Sequence, residues 1–289
     1  MLHYDWISRV EFLLDHGTPV GPRGLMTHED LGAQLTVDCE ANLLDVPARK
    51  LNFRFAVAEW LWMAFGRSDV ESLARYNSVM RSFSDDGIFL TGAYGPHINA
   101  QRRNMVRKLK TDPHTRQAVI EIPRPQRTTK DEPCTLSFQY LLRDGRLNQI
   151  VTMRSSDAWL GIPYDVFTFT QLQNCFAGEL GVKRGWLQLN MGSSHLYERD
   201  FDAARGVMGA YDSLDADTAD VLSSPTLSGF PPLWLESMLL TDRNASVPNA
   251  IPVVTHPTSD DAVWEMYGRV LLSKSSEEAR SILRAGSIL

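Results

Sequence analysis

Residues Arg154–Gln173 read RSSDAWLGIPYDVFTFTQLQ. An arginine, two serines and an aspartate come first, a Gly-Ile-Pro break follows, and the chain then turns apolar with one acid, Asp165, at the start of the run. DVFTFTQLQNCFAGELG predicts a long helix that ends at Gly181. Just upstream, in CTLSFQYLLRDGRLNQIVTM, two β-rich runs flank Arg143-Asp144-Gly145-Arg146, and Asp-Gly is a strong hairpin signal. Just downstream, WLQLNMGSSHLYERD returns to strand before a loop. Hairpin, helix and strand in that order depart from alternating βαβ units, so the fold class is α+β with a large mixed β-sheet packed by helices.

Working outward, MLHYDWISRVEFLLDHG reads as an amphipathic helix with Trp6, Val10, Leu13 and Leu14 on one face. Its internal acids and the lack of small cleavage-type residues argue against a signal peptide. LNFRFAVAEWLWMAFG places Phe53, Val57, Trp60, Leu61 and Ala64 at helical spacing before a glycine stop at Gly66, and Glu59 lies inside this apolar stretch. QAVIEI is strand-like with imperfect alternation. In AQRRNMVRKLKTD, Arg103, Arg107 and Lys110 line one helical face, which is expected to be solvated or at a subunit contact. Beyond Asp200, SSPTLSGFPPLWLE and ASVPNAIPVVTHP are rich in proline and turn residues, and helical pattern resumes at AVWEMYGRVLLSK and SSEEARSILRAG.

The chain has 289 residues, 43% hydrophobic and 22% charged, as expected for an ordinary globular protein of one large domain or two small ones. It lacks a run of about 18 apolar residues, so no membrane span is expected. A net charge of −6 speaks against a general nucleic-acid binder. Cys39, Cys134 and Cys175 show no CxxC spacing, which argues against a disulfide framework or zinc site and for a reducing cytoplasm.

EWLWMAFG, GAYG, DPHTRQ, EPCTLSFQ, MRSSDAWLGIPYD and GSSHLYERD occur in this order between Glu59 and Asp200. Together they resemble the thymidylate synthase superfamily of folate-dependent pyrimidine C5-transferases. The resemblance implies a single catalytic domain over residues 1–289, divergent from about residue 201, and a homodimer formed through the sheet. It also implies a pyrimidine nucleoside monophosphate as substrate, 5,10-methylenetetrahydrofolate as co-substrate, and no metal.

C5 of a pyrimidine is a poor nucleophile until a group adds to C6, and a thiolate both adds well and leaves well. Read alone, Cys134 would be a packed strand residue; within these blocks it stands at the family's nucleophile position. By the same resemblance, Arg154 and Ser155 hold phosphate, as does Arg116, which reaches across the dimer. Gln117 replaces the second arginine of that pair, and Arg23 corresponds to the N-terminal phosphate-loop arginine. His195 and Tyr197 match the pair that binds the sugar 3′-hydroxyl. Glu59 matches the glutamate that organises water and proton transfers, and Tyr94 the tyrosine assisting proton removal at C5. Asp157 matches the acid that contacts the folate pterin, with Leu160 and Gly161 shaping the adjoining wall.

Asp165 stands where uracil-using members of the family carry asparagine. Cytosine presents an N3 acceptor beside a 4-amino donor, an edge that a carboxyl group sharing a proton with N3 can answer. Protonation there also stabilises the charge that builds up when sulfur adds to C6. The alternative is that Asp165 caps the following helix. Thr135 follows Cys134 in place of histidine, and Met80 aligns with a tryptophan that shields the exocyclic methylene in methylating members. The ending RAGSIL does not match those members' short apolar tail. A less shielded methylene is open to water, so the sequence predicts hydroxymethylation of dCMP, with CMP as the alternative sugar form. Methyl transfer to the same nucleotide with dihydrofolate release and a non-catalytic nucleotide-binding relative are the other readings.

Overall fold

The computed structural model describes residues 2–38, 43–211, 227–240 and 259–286. Elements follow in the order α1 (Leu2–His16), β1 (Thr18–Val20), β2 (Thr27–Val37), α2 (Phe53–Ala64), α3 (Val70–Ala74), α4 (Gly95–Thr111) and β3 (Val119–Glu121). Then come β4 (Thr135–Arg143), β5 (Arg146–Met153), β6 (Ser156–Asp157), α5 (Ile162–Leu180), β7 (Lys183–Tyr197), α6 (Phe201–Tyr211), α7 (Leu233–Leu240), α8 (Ser259–Leu272) and α9 (Ser276–Gly286).

The strands form one mixed sheet in the order β1-β2-β7-β5-β4-β3, with β6 pairing β7 off this path. The Asp-Gly turn forms as predicted: Asp144 and Gly145 have φ of 52° and 68°, and Arg143 pairs with Arg146. β5 and β7 are parallel neighbours, which a hairpin cannot join. Helix α5 supplies the crossover and stops at Gly181, whose φ of 69° is the left-handed cap expected there. Because α5 lies between the sheet and other helices, it is buried around most of its circumference. Phe169 meets Phe138 and Phe176 meets Tyr140 on the sheet side, at ring separations of 5.1 and 5.0 Å, while Phe167 faces Tyr267 of α8 at 6.5 Å.

The first helix buries the predicted face, Trp6, Val10, Leu13 and Leu14. The Trp6 indole N–H donates to the Ala158 carbonyl at 2.7 Å, tying α1 to the segment between β6 and α5. Helix α2 carries its apolar residues inward as read. In α4, Arg103, Arg107 and Lys110 are exposed. Helix α9 closes over the start of α2: the Ser276 hydroxyl accepts from Phe53 N at 3.1 Å and donates to Leu51 O at 2.7 Å. Buried Asp45 takes Arg280 and Arg284 of the same helix at 2.5 and 2.6 Å.

Three elements depart from the sequence reading. The loop expected after β7 is a 3-10 turn, Glu198–Asp200, running directly into α6. The eleven-residue β2 had no clear signal because THEDLGAQLTV is polar at its start and is interrupted by Gly32 at φ 71°. Helix α7 forms within a stretch read as turn-rich. ASVPNAIPVVTHP, Cys39 and residues 287–289 lie outside the described residues.

Candidate active site

Cys134 ends the loop that enters β4 and is half-buried. Its carbonyl accepts from Arg154 N at 2.8 Å, so the end of β5 fixes the start of β4. The Arg154 side chain folds back over the same loop, donating to Pro133 O at 3.0 Å, Glu132 O at 2.8 Å and the Ser155 hydroxyl at 2.9 Å. That hydroxyl lies 3.9 Å from the Cys134 sulfur. Burial pushes the thiol pKa up, and the Arg154 charge and Ser155 contact oppose it without cancelling it. Gly192 lets β7 run close to the Arg154 backbone: a Cβ there would stand 2.7 Å from the Arg154 carbonyl oxygen.

Beside Cys134 is a cavity of about 140 Å³. Its apolar wall includes Trp62, Leu73, Met80 and Phe169, and its polar groups are Glu59, Tyr94, Asp131, Asp165 and Thr168. The Tyr94 hydroxyl accepts from Thr135 N at 3.2 Å, placing the ring against the nucleophile loop. Burial raises the Tyr94 pKa well above the usual phenol value. Burial, then the neighbouring Asp165 charge, pushes Glu59 up to about 8. Burial, then Asp157, pushes Asp165 up to about 7. Neither carboxyl accepts a hydrogen bond among the described residues, so each is desolvated without a protein partner; Glu59 keeps its proton at neutrality and Asp165 titrates there.

Asp165 does not cap α5. The N-cap is Gly161, and Asp165 sits in the first turn with its backbone N bonded to Gly161 O at 2.9 Å. A Cβ on Gly161 would lie 2.9 Å from Asp157 O and 3.4 Å from the Asp165 Oδ2 atom, so a bare backbone is needed where these acids converge.

Asp157 pairs with His195 across β6 and β7. Its Oδ1 accepts from Trp159 N at 2.8 Å and Leu160 N at 2.9 Å, a turn that leads the strand into α5. Burial raises Asp157, against the opposing effects of those N–H groups and His195; burial lowers His195, against the attraction of Asp157. His195 and Tyr197 meet edge to face with ring centroids 5.2 Å apart.

The other predicted residues are dispersed. Leu160 is 44% exposed and outside the cavity lining. Arg23 lies on an exposed turn at φ 56°, and Arg116 is exposed before β3. Neither arginine bonds to Arg154, Ser155 or Cys134 among the described residues. Asp131 and Thr168 were missed. Thr168 was findable, since it follows Asp165 by three positions on one helix face; Asp131, three residues before Cys134 in a loop, carries no periodic signal. A wider, open concavity of about 760 Å³ beside the Asp144–Gly145 turn has no cysteine and no buried acid in its lining.

Among the described residues no cluster of three or more metal-binding side chains occurs, and no helix is long and apolar enough to cross a membrane. A curated relative, the deoxyuridylate hydroxymethyltransferase of Bacillus phage SP01, is 36% identical over 176 residues, 54% of this chain and 46% of the relative. The match thus spans about half the length of that relative. The family model described as thymidylate synthase matches residues 4–210, which hold every strand among the described residues and the whole cavity, and the chain belongs to the thymidylate synthase family.

Proposed function

We propose that this chain is a one-carbon transferase that hydroxymethylates C5 of a pyrimidine nucleoside monophosphate, drawing the carbon from 5,10-methylenetetrahydrofolate and the hydroxyl from water. The favoured substrate is dCMP, with CMP as the alternative. The observation that carries the reading is the cavity shared by Glu59, Tyr94 and Asp165 beside the Cys134 thiol. Flat apolar walls with a few unpartnered polar groups suit heteroaromatic rings, both pyrimidine and pterin, whose edges would satisfy those carboxyls. Asp157 would hold the pterin, and the folate would supply the methylene.

In this mechanism Arg154 and Ser155 bind the phosphate together with Arg23 and with Arg116 from a second subunit. Their positive field lowers the Cys134 pKa, countering its burial, and the thiolate adds to C6. Asp165 shares its proton with N3 of cytosine and accepts from the 4-amino group. His195 and Tyr197 bind the sugar, and Glu59 and Tyr94 manage proton removal at C5. Met80, in the cavity wall at the position of the family's shielding tryptophan, leaves the C5 methylene open to water. A homodimer through the sheet, as the family implies, would bring Arg116 of one subunit to the phosphate of the other. The reaction would run in the cytoplasm, in one domain spanning residues 1–289.

A second reading, with a uracil nucleotide as substrate, is favoured by the name of the phage relative and by the protonation of Asp165. A neutral carboxyl offers one donor and one acceptor, so it can also answer the N3–H and O4 of uracil. Mass analysis of products from CMP, dCMP, UMP and dUMP with methylenetetrahydrofolate decides between the bases and the sugars. A 5-hydroxymethyl product without dihydrofolate is expected; a 5-methyl product with stoichiometric dihydrofolate overturns the hydroxymethyl assignment. Absence of C5-hydrogen exchange with every nucleotide would instead favour a binding protein.

A further inference from the structure

Asp131 is the cavity carboxyl that lies outside every sequence block quoted above. The loop carrying it is fixed on both sides. Lys130 N donates to Asp85 Oδ1 at 3.0 Å, the Thr129 hydroxyl also bonds Asp85, and Asp131 N donates to Thr129 Oγ1 at 3.2 Å. On the other side, the Glu132 and Pro133 carbonyls hold the Arg154 guanidinium just before Cys134. Asp131 Oδ2 accepts from Gly92 N at 2.7 Å. Only glycine permits that approach, since a Cβ at residue 92 would lie 2.5 Å from the Asp131 carbonyl oxygen and 3.0 Å from Oδ2. Oδ1 has no hydrogen bond among the described residues, and the side chain lines the cavity with Met80, Tyr94 and Asp165.

Hydroxymethylation needs a base for water after the carbon has been transferred. In the mechanism above Glu59, pushed up to about 8, serves the C5 proton and Asp165, pushed up to about 7, serves N3, which leaves Asp131 as the cavity carboxyl without a step. Burial and the nearby Asp85 and Glu132 charges raise Asp131 as well, against the Gly92 N–H and the Arg154 charge, so it is a carboxyl suited to taking a proton, held in place by Gly92.

Resting on the hydroxymethyl reading above, we propose that Asp131 is the general base for the water that attacks the methylene on C5, beside Met80. The water oxygen bonds to the methylene carbon and one water proton passes to Asp131. The methylene π pair moves into the ring, re-forms the C5–C6 double bond and expels the Cys134 thiolate from C6. Asp131 then gives its proton to solvent. Nothing is oxidised or reduced, so the folate departs as tetrahydrofolate.

Asp131→Asn keeps an acceptor for Gly92 N–H but cannot take a proton, which separates a base from a loop anchor. The expected result is C5-hydrogen exchange within about 3-fold of wild type and a loss of hydroxymethyl product of about 100-fold. Added 2-mercaptoethanol, which brings its own thiolate, should trap the stranded methylene as a 5-thioether nucleotide in this variant. Equal loss of exchange and product, or no loss of either, overturns the role of Asp131 while leaving the hydroxymethyl assignment intact. A wild-type enzyme that releases 5-methyl nucleotide and dihydrofolate overturns both.

Discussion

Asp165 and Glu59 show how far burial and a neighbouring acid can set chemistry. Each is an ordinary acid whose cavity position, without a donor, moves its titration to about 8 for Glu59 and about 7 for Asp165. Asp165→Asn replaces a group that can share a proton with N3 by a carboxamide suited to uracil. A mismatched buried edge costs about 1–3 kcal/mol per unpaired group, so the ratio of kcat/KM for cytosine over uracil nucleotides should fall by at least about 10-fold. An unchanged ratio in competition assays would refute the assignment of Asp165 to the base edge. Glu59 also couples folding to pH. Its folded pKa of about 8 exceeds the ordinary 4.5, so between these values the native state holds a proton that the unfolded chain has released. This stabilising contribution is complete below about pH 4 and lost as pH rises through 8, with Asp165 acting likewise up to about 7. The Tm of the free protein should therefore drop between about pH 5 and 8, and Glu59→Gln should flatten that drop by several degrees in calorimetry. A variant with the wild-type slope would place the titrating group elsewhere.

At the scale of elements, α5 and the hairpin before it carry most of the site. The crossover that makes β5 and β7 parallel brings Asp165 at the helix start beside the strand ends bearing Cys134 and Arg154. Helix α9 has a different task. Asp45 has a fully buried side chain, and the two arginines on it are 25% and 35% exposed. Replacing Arg280 and Arg284 together by alanine leaves that carboxylate without its two ion pairs, at a cost of about 2–4 kcal/mol. The double variant should unfold at lower urea concentration, and adding Asp45→Asn should restore part of the loss. No recovery on adding Asp45→Asn would show that the arginines act through packing rather than charge.

For the whole molecule, the exposed positions of Arg23 and Arg116 matter most. If Arg116 completes the phosphate site of a second subunit, Arg116→Ala and Cys134→Ser are each inactive as homodimers, but each mixed dimer regains one intact site. Random mixing after reversible dissociation should return about one quarter of wild-type turnover. Equilibrium sedimentation should give a dimer for both variants; a monomer, or a mixture without recovered activity, would remove the subunit-crossing role.

Sequence alone determined the elements whose causes are local. The Asp144-Gly145 turn, the Gly181 stop and the inward faces of α1 and α2 follow from backbone sterics and apolar spacing, and all formed as read. Ordered motifs likewise identified the family and the loop around Cys134. Strand β2 escaped because its start is polar and Gly32, at φ 71°, interrupts the pattern, and its pairing with β7 joins residues 150 or more positions apart. Tertiary structure decided which acids are desolvated, because cavity walls come from α2, α3, the segment leading into α4, α5 and the Asp131 loop together. The charge state of Glu59, the freedom of Asp165 from a capping role, and the presence of Asp131 in the site depend on what surrounds each side chain, and no sequence spacing encodes that environment.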